Sequence, residues 1–170
     1  MPEFELQFPP DDIDVLAVRF PDSEDARCLA AGAAAAARGF YSRDEFLEVC
    51  DWKSARSRPL VQSNDALTVE AVTRAAFETS DEAARMGALC GLRGVGVPIA
   101  SALLHFAFPD DYPLLDVRAL ESLGRKGRSV YPVSFWLAYL HACRGLAVEH
   151  GVSLRTLDKA LWQHSKENGS

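Results

Sequence analysis

Two glycines and one aspartate are the residues of this chain whose types and spacing could do chemistry. Gly94 and Gly96 enclose a three-residue turn within residues 92–100, and Asp116 follows twenty residues after the second glycine. Glycine tolerates left-handed backbone angles and leaves the neighbouring amide N–H groups uncovered, so a phosphate can approach closely. A helix beginning just after the turn would add free amides and a partial positive charge. The turn is therefore a candidate clamp for a DNA backbone, and Asp116 is a candidate catalyst.

Further candidate residues lie in two basic segments of an acidic chain. The formal net charge of −6 argues against a general nucleic-acid coat, but residues 52–64 and residues 117–131 each carry a charge of +3. In the first segment, Trp52, Lys53 and Arg56 combine an aromatic face, an amine and a guanidinium, which are groups that stack on a flipped base and bind its edge or phosphate. The alternative is a buried tryptophan beside two solvated charges.

Helix signals divide the chain into the elements that must position these residues. Gly39 should close a first helix that starts at Ser23, and residues 42–45 read as a capping box that opens the second. Pro98 fits the first turn of a fifth helix, and Asp116 can cap a sixth. Because no strong alternating pattern appears, we expect an all-α fold of about eight helices.

The chain length favours one compact domain over residues 23–170, preceded by an extended arm over residues 1–22, which hold four prolines. The four cysteines lie far apart, so we expect free thiols and no zinc or iron–sulfur site. No stretch is apolar enough to span a bilayer, and the N-terminus has no leader-like pattern. A soluble, cytoplasmic protein without a membrane partner is the expectation.

The turn and the acid together resemble one known family. Ala100 stands four residues after Gly96, and residues 113–116 place an aspartate after an apolar pair at the interval typical of that family. Over about residues 88–124 the chain is similar to the helix-hairpin-helix-GPD superfamily of base-excision DNA glycosylases, in particular to its endonuclease III and adenine glycosylase branches. The resemblance implies a helix-hairpin-helix motif, DNA as the partner, and hydrolysis of the N-glycosidic bond of a flipped damaged or modified base.

The resemblance also implies roles for individual residues. Asp116 would be the catalytic acid, which stabilises the oxocarbenium charge on the sugar or activates water. The last helices of the superfamily pass near the base pocket, so Asp158 and Trp162 could line it together with Trp52, although a core tryptophan beside a solvated acid is the alternative. The expected DNA-binding residues are those of the turn, Arg93, Gly94, Val95, Gly96, Val97 and Pro98, together with Arg118 and Arg56 of the two basic segments.

The chain departs from the family at two positions of the turn. Pro98 stands where bifunctional members carry a nucleophilic lysine, and Val97 stands where a basic residue often follows the second glycine. The resemblance therefore implies a monofunctional glycosylase that uses water as its nucleophile, or a protein that has lost catalysis. We expect a monomer. Neither a cofactor nor a bound metal is expected, although the hairpin could bind a monovalent cation. Lys53 could replace the missing lysine from another element.

Three alternatives stay open at this point. Asp116 could serve only as a helix cap, since aspartate is a favoured residue there. The chain could be a noncatalytic DNA-binding or interaction module that retains the helix-hairpin-helix fold. It could also be a scaffold that never touches nucleic acid, in which case DNA binding that depends on salt would be missing.

Overall fold

A computed structural model describes residues 3–169, in which helices predominate and no strand forms. Helices account for 69% of the residues, which confirms the all-α prediction. The ten α-helices of this part of the chain are α1 (Ile13–Arg19), α2 (Ala26–Arg38), α3 (Arg43–Lys53), α4 (Arg58–Val61), α5 (Ala66–Glu78), α6 (Glu82–Cys90), α7 (Val97–Ala107), α8 (Val117–Ser122), α9 (Val133–Glu149) and α10 (Leu154–Asn168). Single 3-10 turns precede α1, α2 and α4.

Helix α7 is the centre of the fold. All of its residues except Pro98 are buried, because its sequence is apolar around the whole circumference rather than along one stripe. It packs against α2, α3 and α6. Only Pro98, in the first turn of α7, is partly exposed, while the rest of the helix is fixed by neighbours on several sides.

The N-terminal segment differs from the extended arm that we expected over residues 1–22. Residues 13–19 form α1, which buries Ile13 and Leu16 and packs against α10. Val15 and Val18 point outward, so the apparent alternation of apolar residues was in fact helical spacing between positions 13, 16 and 20. The first described residues are extended and run beside the end of α8, whereas residues 1 and 2 lie outside the described part of the chain.

The local helix signals are confirmed where a cap can be recognised. Gly39 ends α2 with a φ of +99°, and Ser42 and Glu45 form the predicted capping box of α3. Ser153 caps α10. The helices that the sequence did not indicate are α1 and the four-residue α4, which lies inside the first basic segment. The first predicted helix begins at Ala26 rather than at Ser23, because a 3-10 turn occupies residues 22–24.

Candidate functional site

One cleft brings the glycine turn and the aspartate together. Its volume is about 590 Å³, which is within the usual range for ligand-binding pockets. It lies among the end of α3, the turn between α6 and α7, the start of α8 and the loop before α9. We call it the Asp116 cleft, and the residues that line it include Lys53, Arg56, Gly94, Gly96, Pro98, Asp116, Arg128 and Tyr131.

The turn between α6 and α7 is pressed against α4 at Gly94. This residue has a φ of +76°, and a Cβ there would lie 2.8 Å from the Cβ of Leu60 and 3.0 Å from the backbone nitrogen of Val61. A glycine is required by both the backbone angle and the close approach. Gly96 is different, since its φ is −97° and the nearest atom to a Cβ would be 3.8 Å away. The position would accept a side chain, so its effect is to leave the neighbouring backbone uncovered.

Asn64 fixes the turn from the end of the first basic segment. Its Oδ1 accepts a hydrogen bond from the backbone N–H of Arg93 at 3.0 Å, and its Nδ2 donates to the carbonyl of Arg93 at 3.0 Å and to that of Val61 at 2.9 Å. The side chain is buried. Sequence reasoning missed this residue, because an asparagine at the end of a polar segment gives no signal of a partner twenty-nine residues later.

Several backbone N–H groups of the turn and of the start of α7 have no hydrogen-bond acceptor in the described part of the chain. Among the hydrogen bonds of residues 3–169, none is donated by the backbone N–H groups of Gly94, Gly96, Val97 or Ile99. The positive end of the helix dipole lies at the same place. The side chains of Val95 and Val97, which we expected among the DNA-binding residues, are buried, so only the backbone at these positions could contact a ligand.

Only one of the two carboxylate oxygens of Asp116 accepts a hydrogen bond within the described part of the chain. Its Oδ1 accepts the backbone N–H of Ala119 at 2.7 Å and caps α8, as predicted. Its Oδ2 has no hydrogen-bond partner in the described part of the chain. Burial raises the pKa of the carboxyl group above its ordinary value, and the charge of Lys53 opposes that shift. Capping and chemistry are therefore compatible at this residue, because they use different oxygens.

The segment before Asp116 is held by buried side chains rather than by regular structure. Asp158 of α10 accepts the N–H of Leu114 at 3.0 Å, and Tyr139 of α9 donates to the carbonyl of Leu114 at 2.7 Å. Ser101 accepts the N–H of Leu115 at 3.1 Å. Buried polar groups of the backbone need partners, and these three contacts supply them. They fix the backbone just before Asp116 and therefore the position of Asp116 itself.

Lys53 ends α3 and presents its amine in the Asp116 cleft. Burial lowers its pKa, and the carboxylates of Asp116 and Asp158 partly offset that effect. Within residues 3–169, its ammonium forms no hydrogen bond and has no carboxylate within 4.0 Å. An amine and a carboxylate from helices more than sixty residues apart thus share one cleft without being paired to each other.

Seven expected site residues do not line the cleft: Arg93, which is exposed, the buried Val95 and Val97, and the four residues Trp52, Arg118, Asp158 and Trp162. The indole of Trp52 packs edge-on against Phe106 with ring centroids 5.0 Å apart. Trp162 packs against Phe20 at 5.1 Å, and the guanidinium of Arg118 lies 5.4 Å from the Trp162 ring centroid. Asp158 is buried behind the segment that carries Asp116. Helical spacing does not reveal which neighbours these faces meet: Trp52 packs against the core, and the half-buried Trp162 contacts Phe20 at its edge.

The cations of the chain fall into two groups. Of the 18 lysines and arginines, those with a carboxylate within 4.0 Å are Arg19, Arg27, Arg38, Arg58, Arg85, Arg144, Arg155 and Lys159. The three cations that line the Asp116 cleft, Lys53, Arg56 and Arg128, have no such partner in the described part of the chain. In a protein with more acids than bases, this arrangement leaves positive charge at the cleft available to an external anion.

Other classes of site receive no support from residues 3–169. No group of three or more histidine, cysteine or acidic side chains lies close enough to hold a metal ion. All four cysteines are free. None of the helices in this range is long and apolar enough to cross a membrane.

Comparison of the chain with protein-family models, with curated proteins and with solved structures gave no match. The functional interpretation therefore rests on the geometry of the Asp116 cleft and on the chemistry of the residues that line it.

Proposed function

We propose that the protein is a monofunctional DNA glycosylase, which releases a damaged or modified base with Asp116 as the catalytic acid and water as the nucleophile. The observation that carries the proposal is that Asp116, Lys53 and the Gly94–Gly96 turn line one cleft. The resemblance to base-excision glycosylases covers only the turn and Asp116, so the position of Lys53 beside them is an independent feature of the site.

The chemistry requires a carboxylate that is held in place and partly withdrawn from water. When the bond between the sugar carbon and the base nitrogen breaks, the base leaves with the electron pair and the sugar acquires positive charge. The free Oδ2 of Asp116 can stabilise that charge, while the bond from Ala119 to Oδ1 fixes its orientation. Water then forms a bond to the sugar carbon and gives up a proton, and the departing base is protonated.

DNA would be held by the free amides of the turn and by the unpaired cations. The amides of Gly96 and Ile99 suit a phosphate oxygen, and Arg56 and the exposed Arg93 add positive charge nearby. Extruding a nucleotide costs a few kcal/mol, and the cost is smallest for a damaged or mismatched base. Selectivity would come in part from the DNA itself.

A second candidate function is favoured by the bond between Asp116 and Ala119. Because this bond gives Asp116 a structural task, a noncatalytic DNA-binding module would also retain the aspartate. Such a module would use the same amides and cations. The two functions differ only in whether a base is released.

The first experiment separates these functions with a panel of duplexes that contain uracil, oxidised, alkylated or hypermodified bases. The wild-type protein should produce abasic sites, detected as strand breaks after alkali, on at least one duplex. Asp116→Asn should lose this activity by about 100-fold or more, as expected when a group acting in proton transfer or charge stabilisation is removed. Its DNA affinity should stay within twofold, because asparagine also caps helices.

Two results would change the assignment. Binding to every duplex without base release by the wild-type protein would favour the noncatalytic module. A covalent adduct with DNA after borohydride reduction, lost in Lys53→Ala and kept in Lys166→Ala, a variant at an exposed lysine outside the cleft, would show that the Lys53 amine attacks the sugar and that the enzyme is not monofunctional.

A further inference from the structure

We propose that residues 124–131, the basic loop between α8 and α9, form a second DNA contact in which Arg128 binds a phosphodiester of the strand held by the turn. The inference rests on the proposed function for the identity of the ligand. It adds a contact residue and a surface that the resemblance to known glycosylases does not include.

The placement of the loop is the first observation. Arg128, Ser129 and Tyr131 line the Asp116 cleft together with the turn residues Gly96 and Pro98. The loop therefore reaches the same space as the turn, although some thirty residues separate them along the chain. A strand that occupies the cleft would meet both.

The loop is held in a fixed position although it has no regular structure. The backbone N–H of Arg128 donates to the hydroxyl of Tyr131 at 2.8 Å, and the buried Tyr131 ring packs against Phe135 with centroids 5.4 Å apart. At the other end, the N–H of Arg125 donates to the carbonyl of Leu120 at 2.8 Å. A contact from a loop that is already ordered costs less entropy on binding.

The charges of the loop have no acidic partner in the part of the chain that the structure describes. Arg125, Lys126 and Arg128 have no acidic neighbour in the loop, and none has a carboxylate within 4.0 Å among residues 3–169. Instead, the Arg125 guanidinium lies 5.9 Å from the ring centroid of Phe4, and that of Arg128 lies 5.1 Å from the centroid of Phe135. A cation–π contact of this kind uses no N–H donor, and neither guanidinium donates a hydrogen bond among residues 3–169, so their donors stay available to a ligand.

The chemistry of these donors favours a phosphodiester. The planar fork of arginine matches two oxygens of a phosphate, and the nearby hydroxyl of Ser129 can donate to a third acceptor. A loop kept only for solubility would also be basic and exposed. That interpretation predicts that replacing Arg128 weakens DNA binding no more than the same charge change elsewhere on the surface. The test therefore compares the two.

The test measures the binding of the full-length protein to a fluorescent duplex with a central tetrahydrofuran abasic analogue over a series of salt concentrations. Arg128→Gln should weaken binding about tenfold and reduce the slope of log affinity against log salt by about one, as expected for one lost phosphate contact. Arg74→Gln is the matched control, because Arg74 is exposed on α5, does not line the cleft and makes the same charge change. It should stay within twofold of wild type.

Equal behaviour of Arg128→Gln and Arg74→Gln, with both variants folded by thermal melting, would overturn the loop contact. So would the absence of salt-dependent binding by the wild-type protein. Base release on the panel of duplexes is read separately. Binding that depends on Arg128 without base release would support the loop contact and reject the glycosylase. Base release with binding that does not depend on Arg128 would support the glycosylase and reject the loop contact.

Discussion

The close approach of the turn to α4 can be tested by adding one methyl group at Gly94. The backbone angle of +76° costs an L-residue about 1 to 2 kcal/mol. The new Cβ would also lie 2.8 Å from the Cβ of Leu60 and 3.0 Å from the backbone of Val61. Overpacking of this kind adds about 1 to 3 kcal/mol. We therefore expect Gly94→Ala to lower the free energy of unfolding by about 2 to 5 kcal/mol.

Two other glycines of the chain provide matched controls. Gly39 has a φ of +99° and nothing within 4 Å of a Cβ, so Gly39→Ala should show only the backbone cost of about 1 to 2 kcal/mol. Gly96 has an ordinary φ of −97° and open space, so Gly96→Ala should be no less stable than wild type and should gain up to about 1 kcal/mol from the reduced entropy of the unfolded chain. The reduced entropy of the unfolded chain, about 0.4 to 1 kcal/mol, applies to each variant and cancels in the comparison.

Urea and thermal unfolding followed by circular dichroism would measure all three variants under the same conditions. For a chain of this size, about 3 kcal/mol corresponds to a decrease in Tm of about 6 to 12 °C, so the difference is well resolved. If Gly94→Ala were no less stable than Gly39→Ala, the contact between the turn and α4 would be refuted. If Gly96→Ala were strongly destabilised, the distinction between the two glycines would be refuted instead.

Two further predictions concern the stability of the site. Asp116→Asn should keep the cap and become more stable relative to wild type as the pH rises from 3.8 through the raised pKa of the folded carboxyl group, because the folded protein then has to bury the carboxylate. Urea titrations between pH 3 and 8 would contradict this prediction if the difference in unfolding free energy between the two proteins were constant. Asp116→Ala should in addition lose about 1 kcal/mol of capping energy. Asn64→Ala should lose about 2 to 4 kcal/mol, because it removes three hydrogen bonds made by a buried side chain. The exposed Asn168→Ala, whose side chain makes one bond to His164, should change stability by less than about 0.5 kcal/mol, and equal effects would refute the role of Asn64 in holding the turn.

The features that the sequence predicts well are those determined by a few adjacent residues. The capping box at Ser42, the glycine that ends α2 and the cap at Asp116 all act within one helical turn, so their signals are local. The turn between α6 and α7 was predicted for the same reason. The N-terminal helix was missed, because the exposed Val15 and Val18 made a helical pattern resemble alternation.

The composition of the cleft depends on tertiary packing, which the sequence does not display. Lys53 reaches the cleft and its neighbour Trp52 does not, since adjacent residues on a helix point in directions about 100° apart and the tryptophan packs on Phe106. Asp158 was expected in a base pocket, but it is buried and accepts a hydrogen bond from the backbone N–H of Leu114. Arg128 was recognised only as one charge of a basic segment, because its position depends on how the loop before α9 folds back.

The most direct test of the central claim is release of a free base under single-turnover conditions, measured by chromatography with wild type and Asp116→Asn in parallel. The proposal predicts that the wild-type protein liberates the base from a modified duplex and that the variant, which binds the same duplex with similar affinity, does not. Base release at equal rates by both proteins would contradict the assignment of Asp116 as the catalytic residue.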